Sequence, residues 1–493
     1  MSSDGLGAVA ARGAFASLGG QVGRIAVQLA SIVVLARLLD PRDYGLVALV
    51  TAVIGVGEIF RDFGLSAAAV QAPTLTAHQR DNLFWANTGI GAVLAACGLL
   101  ASGVVAAAFD QPALEPIMRV LALTFLLNGL ATQYRAGLQR SLRFGRLAAV
   151  DVTAQVAGLL AGVAAALAGW GYWALVGQQV AVAGLGLVLV VAASRWWPGR
   201  PRRETGIRRF LRFGWQYVGS QVLGYAAKNA DTLVIGHRFG PVPLGVYNRA
   251  YQLLMGPLGQ VRAPTTTVAL PVLARLQDDE ERYGSYLLRG QAALGYTFVP
   301  GIALAAGAVD PLVAVLLGPR WAAVAPLFAV LAFAAVFETL PYVGFWVYMS
   351  RGLTGALLRY TLASSTLKIA CIVVGSTWGT LGVAAGYAVG SALNWPLSWW
   401  RLSRLTPLPL AALVREGARI LAVALCAGLA ARAATVATSS LPAVVELAAA
   451  LTAAVVVYAA AGLLSRAVRA DLRVVYDIAA LAVRRGAASR PGG

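Results

Sequence analysis

The chain is poor in charge, poor in acid and nearly devoid of lysine and histidine. Only 12% of its 493 residues are Asp, Glu, Lys or Arg, and only 21 are acidic. An average soluble domain carries about 25% charged residues. Here 59% of residues are hydrophobic and the mean hydropathy is +0.71. A soluble globular protein is thereby excluded, and a polytopic membrane protein is left. The 2 histidines, His78 and His237, and the 3 cysteines, Cys97, Cys371 and Cys426, are too few and too scattered for a metal site or a disulfide framework. All three cysteines sit in apolar runs and are expected to be small packing residues. No HExxH, GxSxG, Walker or dinucleotide fingerprint occurs in a suitable context, so no catalytic residue, metal or cofactor is expected. Without a nucleotide site, ATP is not expected to power the chain directly.

What is present is a succession of long apolar runs. At about 20 residues per crossing, they give fourteen candidate helices, at roughly 14–38, 44–61, 83–108, 116–135, 148–169, 171–193, 213–236, 244–264, 289–317, 322–348, 355–377, 379–400, 411–433 and 441–464. The first contains Arg24 and has no convincing cleavage site, so it is expected to remain as a span. The arginines alternate from loop to loop. One side holds Arg61, Arg80, Arg135, Arg140, Arg143, Arg146, the cluster from Arg195 to Arg212, and the C-terminal tail; the other holds Arg37, Arg42, Arg238, Arg320 and Arg432. Basic residues favour the cytoplasmic side, which places both termini inside. The formal charge of +19 is then a topology signal and a contact with anionic membrane lipids, not a sign of nucleic-acid binding. Loops on the outer side, such as Trp170–Trp173 and Trp378–Thr380, leave no room for an external catalytic domain. From Ser465 onward, Val468, Leu472, Val475 and Leu481 share one helical face with arginines opposite, the pattern of a helix lying on the cytoplasmic membrane surface.

Residues 19–45 align without gaps on residues 219–245. The identities include Gly19/Gly219, Gln21/Gln221, Val22/Val222, Pro41/Pro241 and Gly45/Gly245. An offset of 200 residues, six candidate spans, indicates a duplication whose halves share orientation. The expected architecture is all-α: an N-terminal lobe at 1–193, a basic cytoplasmic linker at 194–212, a C-terminal lobe at 213–404, two appended helices at 405–465, and an amphipathic basic tail at 466–493. Transporters built this way commonly hold substrate between their repeats.

Polar residues line up on the repeat-related helices. Ser17, Gln21, Arg24, Gln28 and Ser31 recur at spacings of three and four, as do Tyr217, Gln221, Tyr225, Lys228 and Thr232. Lipid rejects such faces, so each must turn toward protein or water. Two uses remain open: hydrogen bonding between helices, or a cavity in which Arg24 and Lys228 attract an anion. Lys228 is one of only two lysines, and at membrane depth a charge costs at least about 2.5 kcal/mol. Asp231 is either its tether or a proton site. Lys368, Arg249 and Arg262 are further candidates for a cationic cavity. Glu338, Glu58 and Asp62 are candidates for ion coupling or for pairing: Glu338 with Lys368, and Glu58 and Asp62 with Arg61. Prolines 257, 264, 300, 326, 341 and 396 mark candidate kinks, and Gly158, Gly162, Gly382, Gly386 and Gly390 close helix packing.

Three stretches carry a family likeness: YGLVALVTAVIGVGEIFRDFGLSAAAVQ (44–71), NLFWANTGIG (82–91) and KNADTLVIGHRFGPVPLGVYNRAYQLLMGPLGQVRAPTTTVALPVLARLQDD (228–279). The chain resembles the polysaccharide exporter, or oligosaccharide flippase, family, most of all its colanic-acid-exporter type. The likeness covers most of residues 12–400. It implies the fold of the multidrug/oligosaccharidyl-lipid/polysaccharide superfamily, two six-helix lobes with two extra helices. It also implies transport of a polyprenyl-pyrophosphate-linked glycan across a bacterial cytoplasmic membrane, for O-antigen, capsule or exopolysaccharide synthesis. Glycan polymerase and chain-length regulator proteins are prospective partners. A cationic cavity suits a pyrophosphate, but the assignment of Arg24, Lys228 and Lys368 rests on their positions and not on the resemblance. A drug or small-cation antiporter of the same superfamily would call for an acidic cavity. A membrane glycan polymerase or ligase would call for acid/base or nucleophilic groups and an outer loop.

Overall fold

A computed structural model describes residues 3–62, 76–201, 224–226 and 228–488. Among them every regular element is helical, with no strand. The chain divides into two compact units, 1–248 and 249–493.

The first unit contains α1 (Ser3–Leu38), α2 (Pro41–Asp62), α3 (Ala77–Ala108), α4 (Leu114–Arg140), α5 (Phe144–Leu167), α6 (Trp173–Ser194) and α7 (228–239). α3 starts from a capping box in which the Thr76 hydroxyl accepts from the Gln79 amide and the Gln79 side chain accepts from the Thr76 amide. α3 packs on α4, α5 on α6, α4 on α6, and α1 on α5.

α8 (Pro241–Arg275) begins in the first unit and continues into the second. The second unit goes on with α9 (Glu280–Gly307), α10 (Val309–Leu316), α11 (Val324–Thr339), α12 (Tyr342–Ser350), α13 (Thr354–Gly375), α14 (Gly379–Ser403), α15 (Leu410–Ala437), α16 (Ala443–Leu464) and α17 (Arg466–Ala488). Its neighbours repeat the first scheme: α9 packs on α11, α13 on α14, and α11 on α14. This recurrence is what the duplication seen in the sequence leads one to expect. α15, α16 and α17 have no counterpart in it; α15 packs on α9 and α16, and α17 folds back onto α9 and α16.

The fourteen expected spans are not matched one for one. Among the described residues ten helical stretches are long and apolar enough to cross a membrane, or eleven if a bent pair counts as one. One stretch, Thr354–Ser403, holds two helices. The expected span 289–317 is that bent pair: α9 and α10 meet at 86°, and the acidic Asp310 opens α10 as a fresh helix start. The expected span 322–348 is one of the ten stretches, Val324–Ser350, within which α11 gives way to α12 at Leu340 and Pro341. Residues 213–223 of the expected seventh span, and 202–212 of the basic linker, lie outside the described residues.

Sequence matches in the repeat meet in space. α2 and α8 both begin with Pro-x-x-x-Gly, and within the first unit these two turns cross at their glycines. A Cβ on Gly45 would collide with the Pro241 carbonyl oxygen, and one on Gly245 with the Pro41 carbonyl oxygen. Tyr44, Leu244 and Tyr247 seal the crossing at 4%, 0% and 1% exposure. The glycine-marked packing in the second unit is equally tight: Gly382, Gly386 and Gly390 of α14 press on Gly375, Cys371 and Lys368 of α13. In the turn between α12 and α13, Arg351 donates to both carboxylate oxygens of Glu280 at 3.0 and 2.6 Å. That hydrogen bonding holds its guanidinium above the usual arginine value despite partial burial.

Candidate functional site

Each unit places charge within its apolar helices. In the first, the α1 stripe turns Arg24 toward α5. Arg24 donates one NH to Asp151 Oδ2 at 2.9 Å and another to its own neighbour Gln21. Arg135 of α4 donates to the other oxygen, Asp151 Oδ1, at 2.6 Å. Two guanidinium groups thus share one carboxylate, and the cluster keeps one net positive charge. Asp151 is 11% exposed, while Arg24 and Arg135 are 35% and 37% exposed. Arg24 therefore spends part of its donor set on protein groups.

Beside this cluster lies a cavity of about 530 Å3 between α1, α2, α4, α5 and α6, with Tyr225 at its wall. Gln28 lines it, as the stripe on α1 required, and so does Glu58. Gly158 and Gly162 bring α5 down onto Gln178 of α6. That glutamine donates to Ser31 at 2.7 Å, joining α6 to α1. Each Glu58 oxygen has a partner, one accepting from Asn128 Nδ2 at 3.0 Å and the other from Arg61 Nε at 2.6 Å. Asp62 closes α2, with its side chain outside the described part. Gln221 and Tyr217 also lie outside the described residues.

Lys228 is exposed on α7, while Asp231 is 2% exposed. The Asp231 carboxylate accepts from the Tyr247 hydroxyl at 2.6 Å and from the Thr232 amide at 2.7 Å. These bonds tie α7 to the start of α8.

The second unit holds a charge cluster of its own. Lys368 stands mid-helix in α13 and donates to Glu338 Oε1 at 2.9 Å. The same oxygen accepts from the Tyr387 hydroxyl at 2.7 Å, and the Lys368 ammonium lies 4.5 Å above the Tyr387 ring. Arg262 of α8 stands 3.8 Å from Glu338 Oε2. Its other NH donates to Thr339 at 2.6 Å, and its Nε is buried without a partner. Glu338 and Lys368, isolated from each other in sequence, are brought together; Arg262 joins them. Arg249 is 7% exposed on the same helix as Arg262. Again two cations surround one carboxylate, leaving a net positive charge.

An arginine grip recurs in the two units. Arg61 of α2 donates to Thr132 at 2.6 Å and to the Asn128 carbonyl at 3.3 Å on α4. Arg262 of α8 donates to Thr339 at 2.6 Å and to the Ala335 carbonyl at 3.4 Å on α11. In both, the threonine hydroxyl returns to that same carbonyl four residues back. Asp151, Arg135 and the threonines were not anticipated from the sequence. Asp151 could have been flagged as an acid within an otherwise apolar span, but nothing local names its partners.

Comparison with known proteins supplies the family context. A family model described as polysaccharide biosynthesis protein matches residues 34–326. The lipopolysaccharide biosynthesis protein WzxC of Escherichia coli (strain K12) is 24% identical over 388 residues, 76% of this chain and 77% of that protein. The teichuronic acid biosynthesis protein TuaB of Bacillus subtilis (strain 168) is 26% identical over 366 residues, 72% of this chain and 74% of its own. Among solved structures, the lipid II flippase MurJ in an inward closed conformation superposes with a TM-score of 0.68 at 10% identity, covering 90% of this chain and 97% of MurJ. An inward-facing multidrug resistance MATE family transporter of the MOP superfamily gives 0.57 at 17% identity, covering 79% and 95%. At such identities these two likenesses speak for the fold.

Proposed function

This chain belongs to the polysaccharide biosynthesis protein family, and we propose that within it the protein is a flippase for polyprenyl-pyrophosphate-linked oligosaccharide or polysaccharide repeat units. It moves them across the bacterial cytoplasmic membrane by alternating access, for surface polysaccharide synthesis. The relatives support this by their names, which speak of lipopolysaccharide and teichuronic acid biosynthesis, and MurJ by its description as a lipid II flippase. Such transport makes and breaks no covalent bond, so the protein works as a transporter and not as an enzyme.

The observation that carries the proposal is the Lys368–Glu338–Arg262 cluster. A pyrophosphate entering a membrane protein loses water and must find cations in exchange. Lys368 and Arg262 supply them, and Glu338 holds them until the diphosphate arrives, which limits the cost of a buried Arg262 beside a half-buried Lys368. The arriving diphosphate displaces the carboxylate, and its departure lets the carboxylate return. Arg24 and the exposed Lys228 are assigned to earlier contact with the same group. The six-helix halves expected at 1–193 and 213–404 are the moving parts, with 194–212 as their cytoplasmic linker and both termini in the cytoplasm. Anionic lipids meet the basic loops and tail, and glycan polymerase and chain-length regulator proteins act on the delivered unit. A cation-exporting antiporter is disfavoured because both clusters are net positive.

The test is export of a labelled polyprenyl-pyrophosphate sugar by the purified protein in proteoliposomes. Lys368→Met with Arg262→Met is expected to abolish flipping in protein that still purifies as a folded monodisperse species. Undiminished flipping by that variant would sink the role given to the cluster.

A further inference from the structure

We infer that the cavity of the first unit is a sugar subsite, built for an uncharged, hydroxyl-rich ring and not for the pyrophosphate. The inference rests on the flippase proposal and names which part of the substrate this unit reads.

Its size, about 530 Å3, falls within the roughly 300–1,000 Å3 of small-molecule sites. Its charged lining side chains are not free to take an anion. Glu58 and Arg135 are the charged side chains of the described lining, and both are committed to protein partners. Both Glu58 oxygens accept hydrogen bonds, from Asn128 and Arg61, and Arg135 is held on Asp151, which Arg24 also occupies. A phosphate or a uronate carboxylate entering here would face the Glu58 carboxylate and would have to draw Arg135 off a paired acid.

What the wall offers instead is neutral hydrogen-bonding capacity. Four glutamines line it, Gln28, Gln155, Gln178 and Gln179, beside the hydroxyls of Thr51 and Thr124. A primary amide carries both donors and an acceptor, as a sugar hydroxyl does, so each can answer the other in either sense. Gln155 supplies the pointed observation: its Oε1 is buried with no hydrogen-bond partner. An orphaned buried acceptor is costly, and a turn of the amide toward the cavity would let a ligand hydroxyl satisfy it. Gln178 is already oriented by its bond to Ser31 and by the close approach of Gly158 and Gly162 behind it. Tyr225 adds an aromatic ring at the wall, its hydroxyl donating to the Thr51 carbonyl at 3.4 Å. The C–H face of a pyranose can lie on such a ring while its hydroxyls turn to the amides.

The test uses the full-length protein in lipid nanodiscs and calorimetric titration with three kinds of probe. These are geranylgeranyl diphosphate, its esters with glucose, galactose or mannose, and its esters with glucuronic or galacturonic acid. The best neutral hexosyl ester is expected to bind about tenfold tighter than the bare diphosphate, the worth of one or two net hydrogen bonds. The uronic esters are expected to lose that gain. Gln155→Leu combined with Gln179→Leu is expected to erase the gain and leave affinity for the bare diphosphate unchanged. If that pair does not fold, Gln155→Asn, which keeps an amide but withdraws it by one methylene, takes its place with a loss of the same sign. A gain that is absent in the unaltered protein, survives these substitutions, or is larger for the uronic esters overturns the subsite. Bare diphosphate that binds without any sugar gain overturns the subsite alone. Bare diphosphate that does not bind at all overturns the flippase proposal as well.

Discussion

Gly45 lies directly against the carbonyl oxygen of Pro241, and the contact is returned by Gly245 against Pro41. The two Pro-x-x-x-Gly turns therefore touch backbone to backbone, with no room for a side chain on either glycine. Gly45→Ala is expected to destabilise the protein by about 1–3 kcal/mol through overpacking. Gly245→Ala should cost a similar amount, and the double variant less than the sum, because one displacement relieves both collisions. Gly89, which has open space at its Cβ, is the control. Thermal unfolding of the purified variants decides the matter: a Gly45→Ala protein that melts with Gly89→Ala would mean that the crossing yields freely.

The Lys368–Glu338 pair separates stability from transport. Both side chains are partly accessible, at 19% and 24%. Lys368→Met is expected to cost roughly 1.5–3 kcal/mol, the range for hydrogen bonds to charged groups, because it strands a carboxylate whose other cation stands 3.8 Å away. Adding Glu338→Gln removes the stranded charge and should recover most of that stability. It should not recover flipping, since the cation is still missing. Melting temperature and flipping rate, measured on the same two proteins, give the comparison. Wild-type flipping by the double variant would make the pair structural only.

The recurring arginine grip predicts an asymmetry. Thr132→Val leaves Arg61 its 2.6 Å bond to Glu58, whereas Thr339→Val leaves Arg262 with a carboxylate at 3.8 Å and an Nε already lacking a partner. Thr339→Val should therefore destabilise more than Thr132→Val, with both within about 1–3 kcal/mol. Thr→Ser at either site keeps the hydroxyl and should restore most of the loss. Equal melting points for the two valine variants would refute the difference.

Much of this fold was legible because a bilayer constrains sequence strongly. Apolar runs and the arginine bias marked the helices, and the matches Pro41/Pro241 and Gly45/Gly245 survived duplication at a place where only small residues and fixed backbone fit. Breaks inside spans were less legible: Pro341 does separate α11 from α12, but Pro300 and Pro396 lie within continuous helices. The joining of Glu338 and Lys368 was readable since each was an isolated charge in an apolar run. Arg24 was readable only in part. Its bond to Gln21 follows from helical spacing, but Asp151 lies 127 residues away, and no local pattern encodes that meeting. Arg135 looked like one more cytoplasmic loop charge, because position along a helix does not reveal that a guanidinium can turn inward.

The C-terminal helix offers the last prediction. α17 is strongly amphipathic, yet it does not hang from the bundle by its apolar face alone. Arg419 of α15 donates twice to Asp471 Oδ2, at 2.8 and 2.6 Å, and that carboxylate is 11% exposed. Arg469 donates to the Gly462 and Leu463 carbonyls, satisfying groups that the end of α16 leaves open. Val468, 2% exposed, supplies the apolar anchor between them. Asp471→Asn keeps the shape and removes the charge, so it should weaken docking by roughly 1.5–3 kcal/mol. Where opening is fast relative to cleavage, the rate of tryptic cutting follows the open population. Cutting after Arg466, Arg469 and Arg473 should then accelerate about tenfold or more, while the rest of the chain resists as before. If Asp471→Asn is cut no faster than the parent protein, apolar packing at Val468 and the cap by Arg469 suffice to hold α17, and the Arg419 pair contributes nothing to its docking.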